Sequence, residues 1–168
     1  IAIARALAAS TTVLIADEPI SALDTSSQAQ VANLLVDLVH EFKMGMVFIS
    51  HDLSIVRRIS DRVAVMYLGK IVEIGTTSQI WENPSHPYTR ALVSAIPHAD
   101  GASFMPSDLP GDVPNPMNPP SGCRFHPRCQ LALPKCTTEE PQFVTLTDNR
   151  EVSCFLQREG ESPASITL

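Results

Sequence analysis

The sequence predicts an α/β fold, in which helices flank a parallel sheet and a small irregular cysteine-rich extension closes the chain. Three observations predict it. Two short runs, Val13 to Ala16 and Met46 to Ser50, lack the polar alternation of a half-exposed strand, which suits strands covered on both faces of a parallel sheet. Apolar residues between these runs recur at helical spacing. All four cysteines lie between 123 and 154, a local cluster unlike the distributed framework of a disulfide-stapled secreted domain.

Each element follows from local chemistry. Ile1 to Ala9 is alanine-rich and reads as helix. The first strand ends in Asp17-Glu18-Pro19, and Thr25-Ser26-Ser27-Gln28 fits a capping box that starts the next helix. Val31, Leu34, Leu35, Leu38, Val39 and Phe42 then form one apolar stripe to pack on the sheet. Gly45 is expected to end that helix, and the second strand delivers His51-Asp52 at its C-terminal end. Leu53, Val56 and Ile59 mark a short helix, and Arg62 to Leu68 with Lys70 to Ile74 reads as a hairpin about Gly69. Thr76-Thr77-Ser78-Gln79 offers a second capping box. Ser85-His86-Pro87-Tyr88 opens a last helix, with His86 as its cap, Tyr88 and Trp81 as core aromatics, and Ala91, Leu92, Ala95 and Ile96 facing inward.

Seven prolines between 97 and 120 remove helix and sheet donors, so that stretch reads as an extended linker. The expected organisation is an α/β segment over 1–96, a linker over 97–120, a four-cysteine extension over 121–157 and a tail over 158–168.

Composition narrows the function. The 168 residues carry a formal charge of −6 with scattered Lys and Arg, which argues against a nucleic-acid partner, since such domains present a basic stripe. No apolar run approaches the roughly 20 residues of a membrane-spanning helix. The opening Ile1-Ala2-Ile3-Ala4-Arg5 reads as the middle of a helix, so the chain is expected to be a fragment.

Two constellations carry chemistry. Asp17 and Glu18 at one strand end, followed by Ser21-Ala22-Leu23-Asp24 and then by His51 at the next strand end, suit phosphoryl transfer. Of two adjacent carboxylates, Asp17 can hold Mg²⁺ through water and Glu18 can polarise an attacking water. An imidazole at His51 can donate to a phosphate oxygen. Alone, Asp-Glu-Pro is most often a solvated turn, and Ser50-His51-Asp52 is no triad, because adjacent strand residues point to opposite faces. The specificity lies in the order and combination. The second constellation is Cys123, Cys129, Cys136 and Cys154, spaced C-x5-C-x6-C-x17-C. Four thiolates can bind Zn²⁺ or a four-iron cluster. The spacing matches neither paired C-x2-C knuckles nor a ferredoxin run, and incidental free cysteines are the plain alternative. His126, between two of them, reads as a neighbour of the ligands more than as a ligand.

On these residues, 1–96 resembles the second half of an ABC transporter nucleotide-binding domain, a P-loop NTPase. Asp17 matches the Walker B aspartate, Glu18 the catalytic glutamate, Ser21 to Asp24 the D-loop and His51 the switch histidine. Asp61 to Lys70, His86-Pro87-Tyr88-Thr89 and the segment Pro119 to Cys129 are similar to the ATP-binding subunits of oligopeptide and dipeptide permeases, in particular the second of their paired ATPases. The resemblance implies an ATPase that uses ATP and Mg²⁺ to energise peptide import, with Asp24 at a dimer interface. It also implies a [4Fe-4S] cluster on the four cysteines, with Zn²⁺ as the alternative. The implied partners are a paralogous ATPase subunit, two transmembrane permease subunits and, indirectly, a periplasmic or extracellular peptide-binding protein, with the ATPase peripheral on the cytoplasmic face of the membrane. The sequence holds no G-x-x-x-x-G-K-[S/T], so the phosphate cradle is missing and these residues alone are expected to be inactive. A DNA-repair ATPase shares the first constellation but not the acidic charge. A non-catalytic metal-binding module is the other alternative.

Overall fold

The computed structural model describes residues 2–8, 11–96 and 109–163. Two compact units make up the chain, Ile1–Ser60 and Asp61–Leu168. The first unit runs α1 (Ala2–Ala8), β1 (Val13–Asp17), α2 (Thr25–Glu41), β2 (Gly45–Ile49) and α3 (Leu53–Ile59). β1 and β2 pair in parallel from Val13 opposite Gly45 to Asp17 opposite Ile49, as a βαβ unit with a crossover helix requires.

Three local expectations need correction here. The N-cap of α2 is Asp24, one residue before the expected Thr25, and its carboxylate accepts from the Ser27 N–H. An ionised Asp accepts from the free helix amides at least as well as a Thr hydroxyl and sits one residue earlier. Gly45 does not end α2. Phe42 is the C-cap, Lys43 takes the left-handed conformation (φ 52°), and Gly45 opens β2 with its N–H donated to the Thr12 carbonyl at 2.9 Å. Nor are the two strands covered on both faces: Leu14 and Ala16 are buried, whereas Val13, Ile15, Val47 and Ile49 are exposed, Ile15 by 69%. The missing alternation marks strands with two apolar faces, of which the described residues cover one. The stripe on α2 is narrower for the same reason: Ala32 and Leu35 are buried, and Leu34 and Phe42 face out.

The second unit is built on an antiparallel sheet in the order β3-β4-β6-β5: β3 (Arg62–Tyr67), β4 (Lys70–Thr76), β5 (Val144–Thr145) and β6 (Glu151–Val152). The hairpin about Gly69 forms as expected. Leu68 and Gly69 both have positive φ (45° and 76°), the requirement of a primed two-residue turn. α4 (Thr77–Glu82) starts with the expected capping box, Gln79 N–H donating to Thr76 Oγ1 and Gln79 Oε1 accepting from Thr76 N–H. α5 (Pro87–Ser94) is capped by His86, with Ala91 buried, Leu92 and Ile96 half-buried and Ala95 exposed at the C-cap. Residues 97–108 of the expected linker and 164–168 of the tail lie outside the described residues, and 109–120 contain turns and bends only.

One buried ion pair organises this unit. Glu73 on β4 is fully buried and accepts from the Ser85 and His86 N–H groups at 2.7 and 2.9 Å. Arg150 reaches it at 3.4 Å and also donates to Ser85 Oγ, Asp148 and the Asn83 carbonyl. Burial pushes the Glu73 carboxyl up, and the two N–H groups, Thr89 and Arg150 act in the opposite direction. A charge buried this deeply is held only because its partners satisfy it.

Leu35→Ala should cost about 3 kcal/mol in chemical denaturation, whereas Leu34→Ala should stay within about 0.5 kcal/mol. Equal losses would show that the stripe is buried as a whole.

Candidate functional site

The first site forms where β1 and β2 end together. The Glu18 N–H extends the ladder to the Ile49 carbonyl at 3.0 Å, and Glu18 itself turns into the left-handed region (φ 44°). A non-glycine residue there carries about 1–3 kcal/mol of strain, which is found where a side chain must be aimed. Glu18 is thereby directed at His51, two residues past the end of β2, and Glu18 Oε1 accepts from His51 Nδ1 at 2.8 Å. The other oxygen, Oε2, is buried and has no hydrogen-bond partner among the described residues. Asp17, at the last position of β1, is exposed on the same edge.

The contact has an electrostatic consequence. The hydrogen bond to Glu18, then its charge, raise the His51 pKa above its ordinary value. A carboxylate only accepts, so Nδ1 is the donor. A neutral His51 then offers an acceptor at Nε2, and only the protonated ring can donate from both nitrogens.

The turn after Pro19 is held by the Ser21 hydroxyl donating to the Glu18 carbonyl at 3.1 Å, and by buried Ile20. Asp24 ends it, accepting from Ser26 Oγ, Ser27 N–H and Ser27 Oγ at 2.7 to 3.0 Å. Those donors hold its carboxyl well below the usual carboxylate range. Glu18 and His51 are therefore in contact beside Asp17, with Ser21 bonded back to the Glu18 carbonyl, whereas Asp24 is engaged with Ser26 and Ser27 at the start of α2.

The second site lies in the other unit. Cys123, Cys129, Cys136 and Cys154 all line one cavity, together with His86, Phe125, His126 and further apolar side chains. All four are free thiols. Two 3₁₀ turns, His126–Arg128 and Pro134–Thr137, bring the first three together. The Cys123 N–H donates to the Cys136 carbonyl at 2.9 Å. Gly122 makes that approach possible: its φ is 65°, and a Cβ there would meet the Cys136 carbonyl at 2.4 Å. Burial raises Cys123 and Cys129 and pushes Cys154 up to about 12, so a cation would have to displace thiol protons. Among the described residues no three His, Cys, Asp or Glu side chains are arranged to hold a single ion.

The sequence missed His86 as part of this cavity and Gly122 as the residue that allows the close approach to Cys136 beside it. Gly122 next to a cysteine was the available signal. His86 had none, lying 37 positions from the nearest cysteine, as 123 minus 86 gives.

Residues 72–136 match the family model for the C-terminal region of oligopeptide/dipeptide transporters. The chain is 51% identical over 156 residues to a probable peptide ABC transporter ATP-binding protein of Sinorhizobium fredii, covering 92% of this chain and 44% of that protein. It is 51% identical over 156 residues to the dipeptide transport ATP-binding protein DppF of Haemophilus influenzae, covering 92% and 48%. To the oligopeptide transport ATP-binding protein AppF of Bacillus subtilis it is 48% identical over 159 residues, covering 93% and 48%. The chain spans about half the length of the curated relatives it matches.

In an NMR titration His51 should show a pKa above 6.5, and Glu18→Gln should lower it. An unshifted His51 in the unsubstituted chain would mean that the 2.8 Å contact does not persist in solution.

Proposed function

We propose that this chain, a homologue of the ATP-binding proteins of oligopeptide and dipeptide ABC transporters, is part of a subunit that hydrolyses ATP to drive peptide import. The observation that carries the reading is the 2.8 Å contact between Glu18 and His51 at the strand edge that also ends in Asp17.

Each side chain has a distinct task. Glu18 Oε2, an acceptor without a partner among the described residues, takes a hydrogen bond from the attacking water and polarises it. The Oε1 contact holds the carboxylate in that orientation and favours the protonated ring of His51. Nε2–H of that ring then donates to a γ-phosphate oxygen, which stabilises the charge developing there. Asp17 would hold Mg²⁺ through water, and the ion would supply charge neutralisation on the phosphates. Ser21 and Asp24 form a turn whose shape is fixed by its own hydrogen bonds, which suits a contact with a paralogous ATPase subunit. The phosphate-gripping loop is absent from these 168 residues, so turnover belongs to the whole subunit. That subunit works beneath two transmembrane permease subunits, peripheral on the cytoplasmic face of the membrane, and receives peptide through them from a binding protein.

The four-cysteine cavity is read as the site of a [4Fe-4S] cluster, with Zn²⁺ as the alternative. Its support is the donor set, four free thiols that line one cavity. A cluster there would supply a redox-active or purely structural staple.

In the full-length subunit with its partners, Glu18→Gln should lower ATP turnover by about 10²- to 10⁴-fold while ATP still binds. Because His51 must be charged to donate from both nitrogens, turnover should fall as pH rises through its raised pKa. Undiminished turnover in the variant excludes Glu18 as the base. Anaerobically purified chain should carry iron, and Cys136→Ser should lose it. Metal-free protein under those conditions refutes the cluster.

A further inference from the structure

We infer that Ser21 is a positioning residue for Glu18: its hydroxyl holds the Glu18 carbonyl, and with it the backbone turn that aims the carboxylate at His51 and at the attacking water. This role rests on the reading of Glu18 as the base that polarises that water.

Glu18 adopts a conformation that its own sequence opposes. Its φ of 44° is strained for any residue with a Cβ. Pro19 follows it, and a proline pushes the residue before it toward extended backbone. Such a conformation persists only where its surroundings over-determine it.

The bonds that do so are made by the backbone of Glu18 itself. Its N–H donates to the Ile49 carbonyl at 3.0 Å. Its carbonyl accepts from the Ser21 Oγ at 3.1 Å and from the Ser21 N–H at 3.4 Å. The hydroxyl makes the shorter of the two bonds and is the tighter hold. One flanking peptide is thus tied to the neighbouring strand and the other to Ser21, and fixing both peptide planes fixes both torsions of the residue between them.

The turn keeps other anchors. Ile20 is 2% exposed, and its carbonyl accepts from the Leu23 N–H at 3.1 Å and from Gln28 Nε2 at 3.3 Å. Asp24 is held separately by Ser26 and Ser27. Ser21 is exposed, so losing its Oγ opens no cavity. Removing the hydroxyl therefore loosens Glu18 and leaves the turn folded. A hydroxyl turned to the Glu18 carbonyl also acts within its own chain, with or without a second subunit.

The carboxylate transmits the effect. Glu18 Oε1 accepts from His51 Nδ1 at 2.8 Å, which holds the neutral His51 ring in the Nδ1–H tautomer. The tautomer is a readout separate from turnover.

The test compares Ser21→Ala with Ser21→Thr, which keeps a hydroxyl. Nitrogen NMR of the 168-residue chain, above the pKa of His51, should show the Nδ1–H tautomer in the unsubstituted protein and in the Thr variant. The Ala variant should shift toward the Nε2–H tautomer. In the full-length subunit with its partners, Ser21→Ala should lower kcat about 2- to 10-fold, the range of one net hydrogen bond, with the KM for ATP unchanged. Ser21→Thr should restore it. If the Ala variant keeps the tautomer, or keeps kcat, the hydroxyl does not position Glu18 for catalysis, and the inference is wrong while the reading of Glu18 stands. A fall in kcat that tracks a lowered melting temperature, without rescue by threonine, makes Ser21 structural and overturns it too. If Glu18→Gln hydrolyses ATP undiminished, the reading of Glu18 fails and takes the inference with it.

Discussion

The parallel register of β1 and β2 is the constraint on which the first site depends. It sets Asp17 opposite Ile49 and carries the ladder one bond further to Glu18, so the two strands stop level and their polar successors meet. A slip of one residue would turn every side chain of one strand to the other face and separate Glu18 from His51. The apolar residues resist that slip, because Leu14 and Ala16 occupy the covered face. Packing inside the sheet thereby positions a titratable pair at its edge.

The second unit solves a similar problem with a buried charge. Glu73 lies on a strand that pairs on both sides, and its carboxylate is fully satisfied by groups from the start of α5 and from Arg150 beyond β5. Removing one partner would strand an ion in the interior, which is far costlier than the pair is stabilising. The same carboxylate holds the backbone of His86 where its ring meets the cysteine cavity. The buried charge and the lining of the cavity therefore share one residue.

Legibility in the sequence followed the range of the interaction. The capping box at Thr76, the helix start at His86 and the turn at Gly69 were readable because every partner lies within a few positions. Where two local solutions competed, the pattern misled. Thr25 fits a capping-box consensus, yet Asp24 takes the cap because a carboxylate can accept from two serine hydroxyls and an amide at once. Gly45 looked like the helix terminator, yet Lys43 adopts the left-handed conformation, and Gly45 is drawn into the ladder by the Thr12 carbonyl.

The order of residue types by itself determined the two chemical sets, Asp17-Glu18 with His51 and the four cysteines, because the identity of an acid, an imidazole or a thiol is carried by the residue alone. It also determined where strands and helices could start, since caps and turns are local. Only tertiary structure decided that Glu18 turns to meet His51 across 33 positions, that Arg150 neutralises Glu73 across 77, and that His86 lines the same cavity as the four cysteines. Such contacts are settled by which groups must be satisfied once water is excluded, and no stretch of sequence holds both partners.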